Sequence, residues 1–139
     1  MSDPAAAVAV RPGAGARRRL RRLIRGTRQA RKDFERFNRA LERVADTDAV
    51  EDRAAALQRL AAVRSAQAEL RREVIAVPGV GSAGHDIVAA LDQLDSAFAA
   101  FAAFLTVGAT ADGLAFARRG AALIARGRRG LSEAMEALR

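Results

Sequence analysis

With 139 residues, half of them apolar, the chain is long enough for one domain with a real core. It has no cysteine, one histidine and six aromatic residues, all phenylalanine, which excludes disulfides, thiol catalysis and thiolate metal sites. The net charge of +8 is uneven: residues 1–32 hold ten basic side chains against one acid, and the rest hold fourteen against fifteen.

Arginine outnumbers lysine 23 to 1, and about a quarter of the residues are alanine. A GC-rich, bacterial coding bias accounts for both. It does not account for the excess at one end, which cannot fold on itself without repulsion and invites an anionic partner.

Residues 1–15 contain Pro4, Pro12, Gly13 and Gly15 with no sustained period, which predicts disorder. Helical signals start near Ala16. Leu20, Leu23, Thr27, Ala30, Phe34, Phe37, Leu41 and Val44 then form an apolar stripe at 3-4 spacing. Gly26 and Thr27 interrupt it, and whether arm and helix are continuous stays open. The division taken is a disordered, basic arm at residues 1–26, with helix allowed in part of it, and a bundle at residues 27–139.

Asp46-Thr47-Asp48 predicts a turn with Asp48 as cap. The second helix carries Ala56, Leu60, Val63, Gln67, Leu70, Val74 and Val77. Pro78 with Gly79, Gly81 and Gly84 predicts an unwound loop, and Asp86 a cap for the third helix. That helix shows Ile87, Leu91, Leu94, Phe98, Phe101 and Leu105. Gly108-Ala109-Thr110 predicts the last turn, with Thr110 capping a fourth helix striped by Leu114, Ala117, Ala121, Ile124, Leu131, Met135 and Leu138. The fold class expected is all-α: an antiparallel up-down four-helix bundle of two helical hairpins behind a disordered basic arm. The longest apolar run, residues 97–105 extending with breaks to 109, is shorter than the ~20 residues of a membrane span. No transmembrane segment is therefore expected, no secretory signal is evident, and a cytoplasmic location is the default.

Chemistry has little to stand on. One histidine, His85, cannot supply a di-iron or zinc set, and no phosphate loop or nucleophile elbow occurs. No catalytic residue, metal site or cofactor is expected. Gly113, Gly120 and Gly127 recur every seven residues, and each costs ~1 kcal/mol of helix propensity. Folding the last two helices about residue 108 sets Phe104 beside Gly113, Phe98 beside Gly120 and Ala90 beside Gly127. The same register sets Asp92 near Arg126 and Asp95 near Arg118 or Arg119. These glycines, with Phe98, Phe101 and Phe104, are candidates for helix packing or for a partner interface.

Arg17, Arg18, Arg19, Arg21, Arg22, Arg25, Arg28, Arg31 and Lys32 are the candidates for an anionic partner. The leading expectation is a non-enzymatic interaction or assembly protein with a protein partner or a second copy of itself. A nucleic-acid-associated protein gripping phosphates through the arm is the alternative. A bundle holding an apolar ligand near Phe98, Phe101 and Phe104 is a third, and contact with an anionic membrane surface is the weakest.

Overall fold

The computed structural model describes residues 14–76 and 81–137. They form four helices with no strand: α1 (Ala14–Thr47), α2 (Val50–Ala76), α3 (Gly81–Val107) and α4 (Ala111–Glu136). The expected disorder at residues 1–13, Val77 to Val80, and Leu138 lie outside the described residues.

Helix α1 passes through Gly26 and Thr27 without a break, so helix begins twelve residues before the boundary drawn at residue 26. Packing explains the tolerance. Gly26 faces α2, where an added Cβ would lie 3.5 Å from Leu70, and Arg22 reaches Glu73 at 3.9 Å. A glycine pressed against a neighbouring helix is held by that neighbour despite its poor propensity.

The two turns share one design. Asp48 (φ 46°) and Gly108 (φ 87°) are left-handed, and their amides bond back to Val44 O and Phe104 O, each at 2.7 Å, which closes α1 and α3. Asp48 is thus the C-terminal stop of α1, not the cap expected of it; Ala49 N donates to Thr47 Oγ1 instead, at 3.2 Å. The Asp48 carboxylate reaches the other turn and accepts from Ala109 N at 3.3 Å. Arg53 lies 3.8 Å from that carboxylate and points an Nη at Thr106 O, 3.5 Å away. Thr110 caps α4 as expected, accepting from Gly113 N at 3.0 Å.

Helix α3 starts earlier than the glycines suggest. It begins at Gly81, so Asp86 is an exposed residue within it rather than its cap. Gly84 and Ile87 are buried, and that burial overrides the local preference to unwind.

The core has contributions from all four helices. Phe37 of α1 is fully buried and meets Phe101 of α3 edge-on, with ring centroids 5.6 Å apart. Around this pair lie Leu60, Val63 and Leu70 of α2, Ile87, Leu94, Phe98 and Leu105 of α3, and Ile124 and Leu131 of α4. The α4 stripe is shifted from the expected one. Its buried residues are Gly113, Gly120, Ile124, Gly127, Leu131 and Ala134, while Leu114 and Ala121 are exposed. Glycine lets the helix axes approach, so the glycine side faces inward and Leu114 turns outward.

The segment Gly84–Val107 of α3 is long and apolar enough to cross a membrane by length and composition, with half of it buried inside the molecule. The shorter run in the sequence counted only unbroken apolar residues. Asp86, Asp92 and Asp95 interrupt the longer segment, and the carboxylates of Asp92 and Asp95 are paired with arginines of α2.

Candidate functional site

The glycines of α4 are filled by α3. A Cβ at Gly120 would meet the Phe101 ring at 3.0 Å, and one at Gly127 would meet Leu94 at 2.6 Å and Ala90 O at 3.2 Å. Ala90 therefore faces Gly127 as the hairpin register sets it. Phe101, one turn on from Phe98, takes the place beside Gly120. Gly113 meets backbone rather than Phe104, with Gly108 O 1.8 Å from an added Cβ. Phe98, Phe101 and Phe104 are all buried in the chain.

The aspartates of α3 are turned the other way. Asp92 pairs with Arg71 and Asp95 with Arg64 at 3.5 Å, both on α2 rather than with α4 arginines. Helix α3 packs on both α2 and α4, and these carboxylates lie on its α2 side. All four side chains are exposed, so the pairs contribute little stability.

Two surface features remain. The first is a row of cations on α1. Arg18, Arg21, Arg25, Arg28, Lys32, Arg36, Arg39 and Arg43 follow one another at steps of three or four residues, and all eight are exposed. Such steps keep them on one face, over about 37 Å at 1.5 Å per residue. No acidic residue takes a step in this row between Arg18 and Arg43. Among the described residues, Arg36 alone of the eight forms an ion pair, with Asp33 at 3.9 Å. Arg36, Arg39 and Arg43 also line a shallow hollow with Arg59 of α2. Of the other sequence candidates, Arg22 turns to Glu73 and Arg31 to the cleft described next; the side chains of Arg17 and Arg19 lie outside the described residues.

Helix α1 holds twelve basic and four acidic residues, so the remaining twelve basic and twelve acidic residues of the chain cancel. Sequence reasoning missed Arg36, Arg39 and Arg43. Asp33 and Glu35 stop the rise in net charge at residue 32, although the 3-4 spacing of the bases continues past them.

The second feature is a cleft of about 360 Å³ where α1 and α4 stand apart. Its walls and floor include Ala30, Phe34, Leu94, Phe98, Leu131 and Met135. Side chains bridge its edges: Arg128 lies over the Phe34 ring at 5.1 Å, and Thr27 Oγ1 is 3.9 Å from the Met135 sulfur. Arg28, Arg31 and Arg128 are exposed around it, and Glu136 is the one acid among the described residues that line it. Gln67 of α2 also lines the cleft; its Oε1 is buried with no hydrogen-bond partner among the described residues. The sequence placed an apolar ligand near Phe98, Phe101 and Phe104; only Phe98 of the three lines this cleft.

His85 is exposed on α3, and among the described residues no three His, Cys, Asp or Glu side chains gather as a metal site would require. No protein family matches the chain, and neither a curated protein nor a solved structure matches it.

Proposed function

We propose that this chain is a non-enzymatic, helical nucleic-acid-binding protein that docks along the phosphate backbone through the outer face of α1. The observation that carries the reading is the row of eight exposed cations from Arg18 to Arg43. A straight row over about 37 Å matches an extended polyanion better than a compact one. Among the described residues no large apolar or aromatic side chain stands within the row, which favours phosphates over membrane insertion and over base stacking. Binding of this kind is sequence-independent, because phosphate contacts position a protein without reading bases.

The reading takes the helices as an antiparallel up-down bundle of two hairpins, the Asp48 link between the turns supporting that order. It moves the basic element of the sequence from an arm at residues 1–26 to the whole of α1, since residues 1–13 hold one arginine and one aspartate, with the cytoplasm as the setting. Assembly with a protein partner or second copy would need surfaces other than Phe98, Phe101, Phe104 and the three α4 glycines, which are buried.

The test is a fluorescence-anisotropy titration of a labelled duplex between low and moderate salt. The expected log–log slope is roughly −4 or steeper, at about −0.9 per phosphate neutralised. The triple variant Arg25→Gln/Lys32→Gln/Arg39→Gln flattens it by roughly 3 and weakens all duplex sequences alike. No duplex binding at low salt, or binding to anionic vesicles alone, overturns the reading.

A further inference from the structure

The cleft between α1 and α4 has three chemically distinct parts, and together they describe one ligand. Its floor is apolar, built by Phe34, Leu94, Phe98 and Leu131. Its rim is cationic, with Arg28, Arg31 and Arg128 outnumbering Glu136. Its buried polar group is Gln67, whose Oε1 accepts nothing from the described residues. A buried acceptor without a donor is costly, and native proteins supply one from protein, water or ligand. The volume of about 360 Å³ falls within the range of small-molecule sites.

We propose that this cleft binds an amphipathic organic anion, a hydroxylated acyl carboxylate. The acyl chain lies on the phenylalanine and leucine floor, the carboxylate meets the arginine rim, and the chain hydroxyl donates to Gln67 Oε1. Charge complementarity sets the sign of the head group, since among the described residues the rim carries three cations and one carboxylate. The orphaned acceptor separates this ligand from a plain alkyl chain, which would leave Gln67 unsatisfied. Pairing of Arg128 with Phe34 gives the rim a fixed cation at the mouth of the apolar floor. The site is distinct from the phosphate-binding row, which shares only Arg28 with it.

The experiment is isothermal titration of the full chain with 12-hydroxydodecanoate, dodecanoate and the uncharged 1,12-dodecanediol, all below their aggregation concentrations. The hydroxy acid is expected to bind one to one, with the plain acid and the diol each weaker by at least tenfold. Gln67→Leu removes the advantage of the hydroxy acid over dodecanoate. Ser132→Trp places a large ring in the cleft from an exposed position, abolishing binding while circular dichroism and duplex binding stay unchanged. Equal binding of the three probes to the unmodified chain overturns the proposal. So does full affinity in folded Ser132→Trp, or uptake that never saturates at one equivalent.

Discussion

Gly113, Gly120 and Gly127 share one spacing but not one environment. The atom a new methyl would meet is the carbonyl of Gly108 at Gly113, the branch of buried Leu94 at Gly127, and the edge of the Phe101 ring at Gly120. A backbone carbonyl closing a turn cannot retreat. A leucine packed at its branch point yields at the cost of its own packing, and a ring edge gives by tenths of an ångström. Substitution by alanine therefore grades the three sites. Gly120→Ala is expected within about 1 kcal/mol of the parent, because gained helix propensity offsets the crowding. Gly127→Ala costs about 1–3 kcal/mol, and Gly113→Ala more than either. Chemical denaturation of the three variants gives the order, and equal costs at all three would contradict it. The sequence showed that something lies close to these glycines. It could not show which neighbour, because facing residues must lie on both inner faces at once, and that requirement moves Gly120 from Phe98 to Phe101.

At the scale of elements, helices are closed by local chemistry and placed by burial. Thr110→Ala removes the acceptor for Gly113 N and is expected to cost about 1 kcal/mol, read as a lowered thermal midpoint. Thr110→Ser, which keeps a hydroxyl acceptor, restores most of it. Thr110 was legible in the sequence because its cap bond is local. The four helices were legible for the same reason, since each carries its own 3.6-residue period. The start of α3 was not, because buried Ile87 draws the glycines into the helix from tertiary distance. The aspartates of α3 were misassigned for a related reason. A hairpin register considers only the next helix in the chain, whereas Asp92 and Asp95 face the preceding one. The row of cations on α1 was half legible, its spacing hidden behind a net-charge count. The cleft was not legible, since it depends on how far α1 stands from α4.

For the whole molecule, the Asp48 carboxylate ties the turn between α1 and α2 to the turn between α3 and α4. The cleft lies far along α1 from that tie, at residues 27–34. Asp48→Gly keeps the left-handed backbone and removes the carboxylate from Ala109 N and Arg53. It is expected to lower the thermal midpoint by a few degrees, for a loss of about 1 kcal/mol, with unchanged helix content. An unchanged midpoint would mean that the turns are held by the core alone. The charge of α1 has a consequence of another kind. Because the rest of the chain is neutral in sum, the molecule has an electric dipole across its width as well as a net charge. Near a polyanion that dipole exerts a torque, so a molecule arriving in the wrong orientation is rolled until α1 leads. Encounter with such a partner would thereby be guided before contact, and salt would slow it by weakening the field that does the turning.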